Sequence, residues 1–361
     1  MKRRHFVTAG ATATLLTACG QSKDCTNATA SKSEAKKEVI NWTMVTTWPP
    51  GFQGLGTSAD YLAKLINEMS DGRIKVKVYG AGELVPALQV FDSVSSGSVE
   101  MGHGAAYYWK GKLPAASFFS SVPFGLSAQE MNSWLLKGGG LELWQELYAP
   151  YNVTPMPGGN TDIQMAGWFN KEINSLEDIK GLKMRIPGLG GEVLKRAGGT
   201  PELIAGGEIF SALEMGRIDA AEFVGPLNDL AFGLYKAAKY YYYPGWQEPG
   251  TTLEAIINTE ALNKLPKDLQ SIVKSACLVA NNDMLAEFTL RNSEALKILV
   301  SKHGVSLRRL PQDVLDKFQS ISEEVVRELA DNNELSKRIF DSYLNYKNSA
   351  LDWRKISQSM G

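Results

Sequence analysis

The chain has 361 residues, 44% of them hydrophobic and 21% charged, with 38 Lys and Arg against 39 Asp and Glu for a formal charge of −1. That balance excludes a disordered polyelectrolyte and a nucleic-acid binder that works by phosphate neutralisation, while the length suffices for two lobes with cores of their own. The 34 glycines follow no collagen period and point to many turns and close backbone approaches, and no internal run reaches the roughly 18 apolar residues that span a bilayer.

At the N-terminus, Met1-Lys2-Arg3-Arg4-His5-Phe6 is a basic end, Val7 to Leu16 an apolar run, and Leu16-Thr17-Ala18-Cys19 a small-residue cleavage position. These are the three parts of a secretory signal, so residues 1–18 are expected to be a signal peptide. The arginine pair resembles a twin-arginine (Tat) signal, although an ordinary Sec signal also carries such pairs. Leu-Thr-Ala-Cys resembles a bacterial lipobox, which would put the lipid on Cys19 and anchor the protein to a membrane; the alternative is a basic helix that stays in place. Loss of the signal removes three bases and no acid, leaving a body near −4. Residues 19–38 are mostly Ser, Thr, Ala, Asn and Lys, have little to bury, and read as a lipidated tether. With Cys25 and Cys277, the chain has three cysteines, too few and too scattered for a disulfide framework or a structural zinc site.

Past the tether, Asn41 to Thr47 reads as a strand stopped by Trp48-Pro49-Pro50, Thr57 to Met69 as an amphipathic helix, and Arg73 to Tyr79 as a second strand after Asp71-Gly72. A helix over Leu84 to Val94 and a strand over Val99 to His103 continue the alternation, which predicts a mostly parallel sheet flanked by helices. Met131 to Tyr148 is amphipathic with a break at Gly138-Gly139-Gly140. Strands follow at Tyr151 to Pro155, Met165 to Asn170 and Leu182 to Ile186, a helix at Gly191 to Ala197, then Glu208 to Met215 with Ile218 to Phe223. Thr252 to Asn258 is a strand, and Pro266 to Ser359 is nearly all helical apart from a weak strand at Val305 to Leu310. The architecture is therefore α/β.

No nucleophile elbow, phosphate loop or His-Glu-x-x-His motif is present, which argues against an enzyme. Outside the signal only His103 and His303 could act as bases; His103 reads as a turn residue packed by aromatics and His303 as a helix C-terminal residue. What the chain does concentrate is polar groups inside apolar, glycine-rich runs. Asn160 and Gln164 precede Met165-Ala166-Gly167-Trp168-Phe169, and Arg185 ends a buried strand, where it meets either an internal glutamate or a ligand carboxylate. Glu222 in Ala221-Glu222-Phe223 and Glu248 in Trp246-Gln247-Glu248-Pro249 are costly to bury alone. They are either exposed, hydrogen-bonded to backbone, or compensated by a hard cation with Gln164 supplying an amide oxygen.

The segments Gly181-Leu182-Lys183-Met184-Arg185, Glu208 through Glu222, and Tyr241-Tyr242-Tyr243-Pro244-Gly245-Trp246 together resemble the periplasmic solute-binding subunit of tripartite ATP-independent periplasmic (TRAP) transporters, DctP type, from about Ile40 to the C-terminal helices. Asn160 and Gln164 before Gly167-Trp168-Phe169 are similar to the branch that binds small 2-oxo or 2-hydroxy monocarboxylates through a metal ion. The resemblance implies a two-lobed type II-like binding protein, not an enzyme, with a ligand cleft between the lobes and long C-terminal helices crossing both. Residues 39–162, with 251–300 returning, would form lobe I; 163–250, with part of 301–325, lobe II; and 326–361 the C-terminal helices. It further implies that Arg185 clamps and Asn160 donates to a small organic acid, and that Gln164, Glu222, the Phe223 carbonyl and Glu248 hold one Na⁺ or Ca²⁺ that bridges ligand and protein. Tyr107 and Tyr108 would line the opposite lobe. The branch usually has tryptophan where this chain has Phe223, which implies a different pocket wall. The implied partners are TRAP membrane subunits and a homodimer built by exchange of the helix at 332–355.

Overall fold

The computed structural model describes residues 39–357. The expected signal, tether and lipid-bearing Cys19, together with Cys25, lie outside these residues. In chain order the elements are β1 (Ile40–Thr46), α1 (Leu55–Met69), β2 (Ile74–Tyr79), α2 (Val90–Ser95), β3 (Met101–Gly104), α3 (Ala128–Lys137), α4 (Gly140–Tyr148) and β4 (Val153–Asn160). Then come β5 (Gly167–Phe169), β6 (Lys183–Arg185), α5 (Gly188–Arg196), β7 (Thr200–Glu202), α6 (Ile209–Glu214), β8 (Ala220–Ala221), α7 (Pro226–Phe232) and β9 (Tyr240–Tyr243). The chain finishes with β10 (Thr252–Asn258), α8 (Thr259–Lys264), α9 (Lys267–His303), β11 (Ser306–Arg309), α10 (Gln312–Ala330) and α11 (Glu334–Ser357).

Two sheets organise these elements. Lobe I is built on β2-β1-β3-β10-β4 and lobe II on β11-β9-β5-β8-β6-β7. The expected mostly parallel pairing is found among the described strands, with β10 antiparallel to β3 and β4, and β5 antiparallel to β8 and β9. Both exceptions are the first strand after a crossover, β4 to β5 and β9 to β10. A strand that enters a lobe from the cleft must run against strands whose carboxyl ends point into it. The third crossover is α9, whose 37 residues reach about 55 Å. It packs on α1 and β4 of lobe I and on α7 of lobe II, and Gly304 ends it in the left-handed region at φ 64°.

Local chemistry accounts for most boundaries. In α1 the buried Leu55, Ala59, Leu62, Ala63 and Ile66 form one apolar stripe, and Asp71 and Gly72 reverse the chain at positive φ. The helix expected at Leu84 to Val94 shrinks to α2 preceded by a 3₁₀ turn at Ala87–Gln89, because Pro86 lacks an N–H and Leu84 stays exposed with nothing to bury against. β9 answers how consecutive tyrosines are housed: Tyr241 stacks on Trp168 at 4.1 Å, Tyr242 faces the other core and accepts from Ile173 N at 2.8 Å, and Tyr243 is exposed. The lobe I core is held by Phe119 stacked between Trp134 and Trp144. α10 packs on α5 and α11, and α11 lies on its own chain's α3 and α4, with the Tyr343 hydroxyl accepting from Leu126 N at 3.0 Å.

Two buried groups in lobe I serve the fold. His103 lies inside β3, as the expected strand over Val99 to His103 has it and not in a turn, and its flanking glycines let the sheet neighbours and helix α2 close over the strand. Trp48 Nε1 donates to its Nδ1 at 2.8 Å and its Nε2 donates to the Gly158 carbonyl at 3.1 Å; burial pushes the imidazole down to about 4, so it is neutral. Glu254 on β10 accepts from Trp109 Nε1 and, at 2.9 Å, from the Tyr148 hydroxyl, and burial pushes its carboxyl up to about 7 from an ordinary 4.5. The folded protein thus keeps a proton there that the unfolded chain releases, so this residue's contribution to stability is greatest below pH 4.5 and declines until about pH 7. Glu254→Gln should remove that decline. Relative to wild type it should gain roughly 3 kcal/mol between pH 4 and pH 8, read from paired denaturant melts.

Candidate functional site

The carboxyl ends of β3, β4, β6 and β8 meet the two crossovers where the lobes face each other, the usual place for a ligand in open α/β sheets. Arg185 is the last residue of β6 and is fully buried. Its Nε donates to the Ile204 carbonyl at 3.2 Å, and its Nη1 to the Glu222 carbonyl at 2.6 Å and to Glu222 Oε2 at 3.3 Å. The internal glutamate partner is therefore real. Among the described residues Nη2 has only the Tyr108 hydroxyl, at 3.5 Å, which leaves that edge of the guanidinium with capacity to donate. Burial works against its charge, but Tyr108, Glu222, Tyr107 and Glu248 outweigh burial and hold it protonated.

Glu222 and Phe223 follow β8, Gln164 sits in the first crossover and Glu248 in the second. Both acids are buried, not exposed. The crossovers are tied by Gln164 N donating to the Glu248 carbonyl at 3.1 Å, while Met165 N donates to the Val224 carbonyl at 3.0 Å. Thr251 joins the same group, its hydroxyl donating to Glu248 Oε2 at 2.7 Å and accepting from Gln164 Nε2 at 3.2 Å. Gly245 permits this approach, since a Cβ there would stand 1.9 Å from the Gln164 carbonyl oxygen. Gln164 Oε1 and Glu222 Oε1 are buried with no hydrogen-bond partner among the described residues.

Burial, then Glu248, raises the Glu222 carboxyl well above the ordinary range, with Arg185 pulling it back. Burial raises Glu248 to about 7 against hydrogen bonding from Thr251 and the charge of Arg185. Two acids and an amide, two of the three with an unsatisfied oxygen, form a donor set for a hard cation, which would satisfy those oxygens and the mutual repulsion at once. With no His or Cys in it, the set suits an oxygen-seeking cation completed by amide, backbone and ligand oxygens.

Tyr107 is buried in the 3₁₀ turn Ala106–Trp109 of lobe I, and its charged neighbours are Glu248, Glu222 and Arg185 of the other side. Asn160 ends β4, where its Nδ2 donates to Thr252 Oγ1 at 3.3 Å and its Oδ1 accepts from Asp162 N at 2.8 Å; no hydrogen bond joins it to Arg185. Phe223 packs at 4.9 Å from Phe232 and 6.2 Å from Phe52, with the Arg185 guanidinium 5.5 Å from its ring. Sequence reasoning missed Phe52, which comes from lobe I, and Asp229, which accepts from Trp168 Nε1 at 3.0 Å and the Tyr241 hydroxyl at 2.7 Å beneath Glu222. Phe52 stands in a glycine turn with no periodic signal. Asp229 was traceable only through the tryptophan and tyrosine that need a buried acceptor.

A buried arginine with a spare donor edge, an acid pair and an aromatic wall, all enclosed between two α/β lobes, define a binding protein for a small anion. The chain belongs to the bacterial extracellular solute-binding proteins of family 7, the DctP family, whose model matches residues 44–333. It is a periplasmic solute-binding protein of the TRAP transport class and not an enzyme. It is 44% identical over 360 residues, 99% of this chain and 97% of the relative, to a monocarboxylate 2-oxoacid-binding periplasmic protein of Nostoc sp.. A TRAP periplasmic solute-binding protein from Pseudoalteromonas atlantica, solved with bound sodium and pyruvate, is 43% identical with a TM-score of 0.87, covering 89% of this chain and 98% of that one. A TRAP solute-binding protein from Bordetella bronchiseptica, solved as a mixed-occupancy dimer with calcium and picolinate, is 37% identical with a TM-score of 0.87, covering 89% and 96%.

Proposed function

We propose that this protein captures a small 2-oxo or 2-hydroxy monocarboxylate between its lobes and delivers it to TRAP membrane subunits. The observation that carries this reading is the pairing of the open Nη2 edge of Arg185 with the orphaned oxygens of Gln164 and Glu222. Arg185 takes the ligand carboxylate, Asn160 donates to it, and Tyr107 closes the opposite wall. Gln164, Glu222, the Phe223 carbonyl and Glu248 would hold one Na⁺ or Ca²⁺, which when bound supplies positive charge for the carboxylate and the neighbouring oxo or hydroxyl oxygen. Relatives carrying sodium or calcium with pyruvate or picolinate support the same ligand class. Residues 39–162 with 251–300 move as lobe I against 163–250 with part of 301–325. Closing on ligand presents a surface that a membrane partner can recognise.

The same reading places the protein on the periplasmic side of a membrane, exported by Sec or Tat and anchored through a lipid on Cys19, with residues 326–361 available to a homodimer. A thermal-shift screen tests the ligand class. Pyruvate at a hundredfold excess over Kd should raise Tm by about 5 °C with sodium or calcium present and hardly at all in a buffer freed of both. Stabilisation by dicarboxylates or sugar acids regardless of cation would overturn it.

A further inference from the structure

Among the side chains that bridge the lobes, two flank the site without belonging to it. Lys110 follows the turn that carries Tyr107 and Tyr108, and its Nζ donates to the Gly188 carbonyl of α5, in lobe II, at 3.0 Å. Among the described residues that carbonyl is its only hydrogen-bond acceptor. The lobes are in van der Waals contact here, since a Cβ on Gly188 would stand 3.2 Å from the Tyr107 Cβ. On the other flank Asn228, fully buried in α7 of lobe II, donates from Nδ2 to the Gln53 carbonyl of lobe I at 2.7 Å. Phe52 beside it stacks on Phe232 at 4.2 Å. The two hydrogen bonds therefore bracket the site, one donor from each lobe, each acceptor a main-chain oxygen.

We propose that Lys110 and Asn228 are positioning residues that latch the closed lobes and so set the residence time of the ligand without touching it. This rests on the ligand reading above. A bond between side chain and main chain across the lobes exists only when they are closed, so it weights the closed state alone. The effect is expected to be the same for every ligand that allows closure. A groove of about 540 Å³ beside Lys110, lined in part by Pro187, Glu192, Lys195 and Thr200, gives a replacement side chain room without repacking.

Stopped-flow and calorimetric titration of wild type, Lys110→Met, Lys110→Arg, Asn228→Ala and Asn228→Ser with pyruvate and 2-oxobutyrate in calcium tests the latch. Dissociation should quicken about tenfold or more in Lys110→Met and roughly three- to tenfold in the Asn228 variants, with association unchanged. Lys110→Arg should recover most of the loss, the ratio of the two affinities should stay constant, and near-ultraviolet circular dichroism should stay native. Unchanged dissociation in both Lys110→Met and Asn228→Ser, or an altered ligand ratio, overturns the latch. Failure of wild type to bind either acid sinks the ligand reading instead. Small-angle scattering of the proteins as purified then decides the latch, more open variants supporting it and identical curves removing it.

Discussion

Replacing Arg185 with lysine is expected to weaken binding of a 2-oxo monocarboxylate by about a hundredfold or more. Arginine serves Ile204, Glu222 and the cleft at once because its donors diverge from one plane. A lysine ammonium keeps the charge beside Glu222 but gives up the Nη2 edge, and two charge-assisted hydrogen bonds at about 1.5–3 kcal/mol each account for the loss. Alanine is a poorer probe. Arg185→Ala would leave the fully buried Glu222 without its partner, and an unpaired buried carboxylate costs about 3–5 kcal/mol. Calorimetry on the lysine variant, with near-ultraviolet circular dichroism to show a native core, checks the prediction. Affinity within tenfold of wild type would remove the clamp.

Glu248→Gln should abolish stoichiometric cation binding and with it most ligand affinity. Without a cation, burial holds the Glu248 carboxyl at about 7 and Glu222 also above the ordinary range, so the pair retains a proton near neutrality. A cation must displace that proton. Calcium affinity of wild type should therefore fall about tenfold for each pH unit below 7. Stability carries the same sign. A carboxyl raised from 4.5 to about 7 contributes most below pH 4.5 and loses that contribution as pH climbs to about 7. The cation-free variant should thus melt above cation-free wild type at pH 8 but not at pH 4. Elemental analysis that finds unchanged metal stoichiometry in the variant would take Glu248 out of the cation site.

Much of this site was legible because its members are chemically out of place in their local sequence. Arg185, Glu222 and Glu248 are ionisable groups in apolar, glycine-rich runs, and such groups invite the question of what compensates them. The alternatives for Arg185 could not be separated from sequence, and the structure shows why: its guanidinium meets Glu222 on one edge and keeps donor capacity on the other, towards Tyr108. Lys110, Asn228 and Phe52 carried no such signal. Gln53, the partner of Asn228, lies 175 residues away, and each of these side chains is ordinary beside its own neighbours.

The sequence by itself determined the local elements and the donor chemistry. Helix α1 and strand β10 follow from apolar spacing, and the residues able to hold an anion or a cation follow from side-chain type, because both depend on groups a few positions apart. Strand direction, the pairing of Gln164 with Glu248, and the two bonds that span the lobes were decided only by tertiary structure. They depend on where the chain crosses between sheets, and a crossover brings together groups whose separation along the chain leaves no mark in the pattern of either segment.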